Sequence, residues 1–177
     1  IPSKKIKELE KRIEFIDSYT NRIDLADAYF NNSDFENAIE NYKISLGDTV
    51  QDPLYARQQL ILSYLQLKNY NEIIEHAELI KDRTEFKGSK QQFCYGIALS
   101  ELGRVDEAEL QLKQIDRPYS NYAERLELAK FYVDNNRTSE GKELLTEIST
   151  ESQRFTIPNR KLFFFFFIEV ERMLSGL

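Results

Sequence analysis

The sequence repeats itself four times, and this internal period restricts the fold more than any other feature. One pattern of apolar and small residues recurs with identical spacing in four windows, anchored at Tyr29, Tyr64, Leu99 and Tyr132. The steps between these anchors are 35, 35 and 33 residues. A fixed period of roughly 20 to 50 residues is typical of arrays in which each unit is one supersecondary element stacked on the next.

Each window predicts two antiparallel helices. Within a window the apolar and small residues lie three, four and seven positions apart, which places them on one face of a helix. A short polar turn divides each window into two such runs, at 31–34, 68–69, 103–104 and 135–137. Asn and Gly in these turns tolerate the left-handed conformation that ends a helix.

Composition supports helices and excludes several other classes. Only 6 Gly and 4 Pro occur in 177 residues, which argues against a loop-rich β fold. With 41% hydrophobic residues and 12% aromatics, the chain is too apolar to be disordered. One Cys and one His exclude a disulfide framework and make a metal site or a histidine-dependent catalytic triad improbable.

The windows resemble the tetratricopeptide repeat (TPR) family, whose period is near 34 and whose pattern is Leu-Gly/Ala-x-x-Tyr followed by Ala-x-x-x-Tyr/Leu. The resemblance covers about residues 20–150. It implies an all-α, right-handed α-solenoid of about four TPR-like helix pairs, with an extra helix at each end. This sequence departs from the family where a bulky aromatic residue is expected three positions before the first Leu; here the residues are Arg22, Arg57, Gln92 and Arg125.

A single TPR-like domain is predicted over 1–177. It comprises an N-terminal helix (1–18), four repeats (19–52, 54–87, 89–118 and 122–151) and a C-terminal aromatic helix (158–177). Ser3 is the expected N-cap of the first helix.

The C-terminal segment holds five consecutive phenylalanines. Successive residues on a helix are about 100° apart, so five rings in a row point in every direction. One hypothesis is that this helix packs on the fourth repeat and leaves one or two rings exposed. A second hypothesis is that the extra rings form a contact surface for another copy of the chain or for the groove of the array. A third is that the segment forms a strand. The residues in question are Phe163, Phe164, Phe165, Phe166 and Phe167.

Catalytic and cofactor motifs are not found in the sequence. It has no Gly-x-Ser-x-Gly, phosphate-binding Gly loop, His-Glu-x-x-His or calcium-loop pattern, so we expect neither an enzyme nor a cofactor. His76 is interpreted as a surface or inter-helix side chain, and Cys94 as a small core residue with nothing nearby in sequence to activate it.

Function is therefore predicted on the concave face, which in TPR proteins is lined by the first helix of each pair. The resemblance places eleven residues in this predicted groove: Ile23, Asp27, Phe30, Tyr55, Gln58, Leu62, Leu65, Phe93, Ile97, Leu126 and Lys130. The family's clamp for terminal carboxylates needs Lys, Arg and Asn, but Asp27, Leu62 and Ile97 stand at the matching positions. We therefore predict a scaffold that binds an amphipathic helix or an apolar peptide. Self-assembly through the Phe-rich helix, as a homodimer, is the alternative.

Charge and hydropathy bear on partners and location. The formal net charge of −6 disfavours nucleic acid as a partner. The longest apolar run, 162–168, is far shorter than the roughly 20 residues of a membrane span, so a cytoplasmic protein is expected.

The stretches 25–43 and 119–132 also resemble the soluble tails of bacterial membrane proteins in which a hydrophobic region precedes a TPR array. Because the chain begins with Ile1, we expect a piece of a longer protein, with a membrane anchor upstream if that second resemblance holds.

Overall fold

The computed structural model describes residues 3–177, so the first two residues of the predicted segment 1–18 lie outside it. These residues form eleven α-helices and one 3-10 helix with no strand among them, which confirms the all-α prediction. The helices are α1 (Lys4–Phe15), α2 (Tyr19–Asn31), α3 (Phe35–Ser45), α4 (Leu54–Gln66), α5 (Tyr70–Ile80), α6 (Lys90–Glu101), α7 (Val105–Leu112), the 3-10 helix Lys113–Ile115, α8 (Tyr122–Asp134), α9 (Thr138–Ser152), α10 (Ile157–Leu162) and α11 (Phe164–Gly176).

Short polar side chains begin several of the helices. The side chain of Ser3 accepts a hydrogen bond from the Ile6 N–H at 3.3 Å, which confirms the predicted N-cap. Ser18, Asp34 and Ser89 cap α2, α3 and α6 in the same way. Each cap satisfies a backbone N–H that the first turn of a helix leaves without an intrahelical partner.

The turn inside each helix pair has the same geometry four times. One residue in each turn has a positive φ, namely Ser33 (58°), Lys68 (56°), Gly103 (76°) and Asn136 (61°). The next residue in each case donates its N–H to the carbonyl five positions back, at Tyr29, Tyr64, Leu99 and Tyr132, over 2.8–2.9 Å. This hydrogen bond closes the helix end as in a Schellman motif. Ser and Lys adopt the left-handed conformation in two of the turns, although only Asn and Gly were expected to do so.

The described chain divides into two compact units, one ending at Ala108 (unit 1) and the other from Glu109 to Leu177 (unit 2). In unit 1, α1 to α6 pack in sequence, each on the next, and α4 also packs on α6. Small residues in these contacts, including Ala26, Ala38 and Ala77, are fully buried. They let neighbouring helix backbones approach closely. The single domain over 1–177 and its repeat boundaries stay predictions.

Unit 2 is built on α8 and α9, with α11 packed against α9. Its core includes Leu128, Leu145, Ile148 and Val170, each with no exposed surface. The segment expected as one C-terminal helix over 158–177 is two helices, α10 and α11, with Phe163 between them at φ −101°, ψ 13°. No Gly or Pro marks this break, so the local sequence does not show it.

Candidate functional site

The first helices of three successive pairs are neighbours in unit 1. Tyr55 at the start of α4 donates its hydroxyl to the carboxylate of Asp27 on α2, 3.0 Å from each oxygen. The side-chain amide of Gln91 on α6 lies 3.5 Å from the backbone carbonyl of Gln58 on α4. The exposed sides of α2, α4 and α6 therefore form one surface, which we call the inner face.

The inner face carries the nine predicted groove residues of unit 1. Tyr55 is 42% exposed. The others are half-buried, with part of each side chain packed and part accessible: Ile23, Asp27, Phe30, Gln58, Leu62, Leu65, Phe93 and Ile97. Six of these nine residues are apolar, and all nine keep part of their surface accessible to a second molecule. Phe30 is held in place by an edge-to-face contact with Phe35, with ring centroids 5.5 Å apart.

A carboxylate and two tyrosines form the main polar feature of the inner face. Tyr42 on α3 donates its hydroxyl to Asp27 at 2.5 Å, and Tyr55 donates to the same carboxylate. Gln59 lies 3.5 Å from the Tyr42 hydroxyl. Burial and the hydrogen bond to Asp27 raise the pKa of Tyr42. Burial and the charge of Asp27 raise the pKa of Tyr55 to about 12. Both phenols therefore stay protonated and act as donors that orient Asp27.

Tyr42 and Gln59 are members of this cluster that the sequence analysis missed. Tyr42 stands where the aligned repeats carry Ala77, Leu112 and Leu145. The family pattern allows Tyr at this position, so only the contrast with the other three repeats of this chain could have singled it out. Gln59 has no such signal.

Two predicted groove residues belong to unit 2, and they differ in exposure. Leu126 is buried in unit 2, with 6% of its surface exposed, so it offers almost no area to a partner. Lys130 is half-buried and pairs with Glu127 one turn earlier at 2.9 Å. The repeat pattern alone does not show how much of an inward position a neighbouring element covers.

The five phenylalanines separate into packed and exposed rings. Tyr122 at the start of α8 is the centre of the packed group, with its ring centroid 5.7, 6.0 and 5.8 Å from those of Phe163, Phe166 and Phe167. Phe164 and Phe165 are instead 56% and 84% exposed. Only one face of a helix can pack on its neighbours, so the remaining rings point to solvent.

More exposed apolar side chains lie close to these two rings in the sequence. Ile157, Leu162 and Ile168 are 71%, 75% and 51% exposed. A surface cavity of about 510 Å³ lies between the end of α9 and α11, lined in part by Arg160, Phe164 and Ile168. We call the surface of these residues the aromatic patch: Ile157, Leu162, Phe164, Phe165 and Ile168.

The residue at the position where the sequence departs from the TPR pattern makes a polar contact in every pair, and we call it the polar tether. Arg22 binds Asn41 on α3 at 2.9 Å and Asp17 at 2.7 Å. Arg57 lies 2.9 Å from Nδ1 of His76 on α5. Gln92 accepts a hydrogen bond from the Gly88 N–H at 2.7 Å. Arg22 and Arg57 therefore join the first helix of their pairs to the second, whereas Gln92 binds the segment just before its own helix. The fourth tether lies in unit 2.

Arg125 is that fourth tether, and its side chain is completely buried. The guanidinium contacts three carboxylates, at 2.9 Å for Asp116, 3.2 Å for Glu147 and 2.9 Å for Glu151. Glu151 is 4% exposed and also accepts the Tyr119 N–H at 2.8 Å. Burial raises the pKa of Glu151, but the hydrogen bonds from Arg125 and the Tyr119 N–H outweigh it, so the pKa is lowered overall.

His76 and Cys94 are both buried, at 7% and 2% exposure. His76 stacks on Tyr64 with ring centroids 5.7 Å apart. Burial, followed by the charge of Arg57, lowers the pKa of His76, so the imidazole is neutral near pH 7. No group of three or more His, Cys, Asp or Glu side chains among residues 3–177 is arranged to hold a metal ion.

The repeated helix pairs, their common turn and their small contact residues define a fold of the TPR-like helical-repeat type. The solved structure of MamA from AMB-1, a TPR-like protein, matches with a TM-score of 0.61 at 23% sequence identity. The match covers 77% of this chain and 80% of that chain. No protein-family model matches the sequence. No curated protein matches it either.

A final observation concerns hydropathy. Within the part of the chain that the structure describes, none of the helices combines the length and the apolar character needed to cross a bilayer.

Proposed function

We propose that this protein is a non-catalytic scaffold whose inner face binds a peptide or helix of another protein. The observation that carries the proposal is the row of half-buried apolar side chains along α2, α4 and α6. An amphipathic segment placed on such a surface buries its own apolar face, which is the main driving force for association of this kind. The TPR-like fold is consistent with this role.

The aromatic members should contribute most of the binding free energy. Phe30 on α2 and Phe93 on α6 are large and partly accessible, and Phe30 is preordered by Phe35. A few large, preordered side chains usually dominate an interface. Leu62 and Leu65 on α4, the helix that packs on α6, supply apolar surface as well.

Replacing Phe93 with glutamate is expected to weaken peptide binding at least about tenfold, because a charge then faces the apolar side of the ligand. The assay uses a displayed library of random peptides of about 16 residues, some four helical turns. Peptides selected on the wild-type protein are synthesised and their affinities measured by fluorescence anisotropy.

Leu79→Glu is the matched control, because Leu79 lies on α5, a second helix, and is 60% exposed. This variant should bind the selected peptides as the wild type does. Circular dichroism should show the same helical signal for all three proteins. If the two glutamate variants bind equally well, the inner face is not the binding surface.

Self-association through the aromatic patch is the second candidate function. It is favoured by a specific observation, namely that five large apolar side chains within 157–168 are more than half exposed. Contiguous exposed apolar surface of this kind marks interaction sites in soluble proteins.

If the patch mediates self-association, Phe165→Glu is expected to keep the protein monomeric where the wild type dimerises. Light scattering over a series of concentrations measures the average mass. Phe15→Glu is the control, because Phe15 on α1 is 87% exposed and thus as accessible as Phe165. A wild-type mass that stays monomeric across the series argues against this candidate.

A further inference from the structure

The inner face contains one carboxylate in the middle of its apolar row. Asp27 lies four residues after Ile23 and three before Phe30 on α2, which places the three side chains on the same side of the helix. Asp27 forms no ion pair within residues 3–177, although it accepts hydrogen bonds from Tyr42 and Tyr55. This carboxylate is therefore held in position without a positive charge to neutralise it.

A bound segment would cover Asp27 and remove water from it. Burying an uncompensated carboxylate is costly, whereas burying it against a cation that it can hydrogen-bond recovers much of the cost. Partners that present only apolar groups to this point are therefore disfavoured relative to partners that present a cation. Asp27 thus acts on specificity as well as on affinity.

The surroundings of Asp27 also favour a cation. Tyr55 is 42% exposed beside the carboxylate, so its ring has a face that a cation can approach. Burial, followed by the charges of Asp52, Asp48 and Asp27, raises the pKa of Tyr19 at the start of α2, so negative charge surrounds this end of α2. Asp52 is partly neutralised by Arg83 at 2.9 Å.

We infer that the segment bound on the inner face presents a lysine or arginine side chain to Asp27, with apolar residues on either side of that cation. This inference rests on the proposed peptide-binding function and narrows its partner to a basic amphipathic segment. The cation would bind between the Asp27 carboxylate and the ring of Tyr55, while the flanking apolar side chains contact Ile23 and Phe30.

The test selects the displayed library of random peptides of about 16 residues on three full-length proteins: wild type, Asp27→Asn and Asp24→Asn. Asparagine keeps an oxygen that can accept the tyrosine hydrogen bonds and removes only the charge. Asp24 is the matched control, because it lies on the same helix but pairs with Arg12 on α1 at 3.3 Å. A selected peptide is also synthesised with its basic residue replaced by norleucine.

The wild-type and Asp24→Asn pools should be enriched in Lys or Arg flanked by apolar residues, and the Asp27→Asn pool should lose that enrichment. The norleucine peptide should bind the wild type about tenfold more weakly than its parent, as expected for a partly desolvated charge pair. It should bind Asp27→Asn about as well as its parent does.

Two results overturn the inference, and they are distinguishable from failure of the proposed function. A wild-type pool without basic enrichment, or a norleucine peptide that binds the wild type as tightly as its parent, overturns the inference alone. A library that yields no peptide sensitive to Phe93→Glu overturns peptide binding on the inner face, and the inference with it. The norleucine comparison needs no protein variant, so it holds even if Asp27→Asn folds poorly.

Discussion

Replacing Arg125 with methionine is expected to lower the free energy of unfolding by about 3–5 kcal/mol, the range typical of breaking a buried ion pair from one side. Methionine fills much of the volume of the arginine stem. The loss of stability therefore comes from removing the positive charge rather than from opening a cavity. Glu151, 4% exposed, would keep the Tyr119 N–H but lose its cation. Urea unfolding monitored by circular dichroism measures the difference.

The stability difference between wild type and Arg125→Met depends on pH, and the titration of Glu151 determines in which direction it changes. In the wild type the pKa of Glu151 is lowered, so its stabilising contribution is present above the unfolded-state pKa and is lost as pH falls through the folded-state pKa. Without Arg125 the buried carboxyl favours its neutral form. The difference between wild type and Arg125→Met should therefore be largest near pH 7 and shrink towards pH 4.

Arg137→Met is the matched control within unit 2. Arg137 also contacts two carboxylates, Glu109 at 2.6 Å and Glu140 at 2.5 Å, but its side chain is 30% exposed. In this variant Glu109 keeps its ion pair with Lys113, and Glu140, whose side chain is 46% exposed, is solvated by water, so the effect should be much smaller. If both methionine variants lowered the free energy of unfolding equally, burial would not be the reason that the Arg125 contacts stabilise the fold.

Tyr122→Ala is expected to cost about 3–5 kcal/mol, as for other large aromatic side chains deleted from a core. Tyr122 is 7% exposed and contacts four phenylalanine rings, one of which, Phe155, precedes α10. The remaining rings would lose their common partner and with it the aromatic contacts that join Phe163, Phe166 and Phe167 to α8.

Hydrogen exchange measures how the loss of the Tyr122 contacts affects α10 and α11, where the effect should be greatest. Amides of α10 and α11 should lose protection in Tyr122→Ala more than those of α2 to α5, which belong to unit 1. Tyr119→Ala is the control, because Tyr119 is 53% exposed and its loss should cost about 0.5 kcal/mol or less. Uniform loss of protection along the whole chain would contradict a local role for Tyr122.

The helix pairs and their turns were accessible from sequence because they depend on local chemistry. A three-and-four spacing defines a helix face whatever surrounds it, and a polar turn ends a helix through its own backbone. For the same reason Ser3 could be recognised as an N-cap. The choice of Ser33 and Lys68 as left-handed residues was not accessible, because the shared closing hydrogen bond imposes that conformation against their intrinsic preference.

Contacts between distant residues were the part that sequence could not supply. Arg125 could be recognised as a departure from the TPR pattern, but its partners Asp116, Glu147 and Glu151 are spread over two further segments. The break at Phe163 likewise lacks a local signal, and its ring packs against Tyr122 and Phe155. At the candidate site, the repeat pattern indicated Asp27 and Tyr55 separately but not the hydrogen bonds that join them with Tyr42.

The polar tether at the start of each pair makes the four pairs chemically distinct despite their common backbone. Arg57 is matched to a neutral imidazole, whereas Arg125 is matched to carboxylates. A copy of α6 spliced into the place of α8 would set the uncharged Gln92 opposite the buried carboxylate of Glu151, with no cation to meet it. The pairs are therefore not interchangeable cassettes: shuffling or duplicating them would leave buried charges unmatched, and the same mismatch penalises a folding chain that docks the wrong helices together.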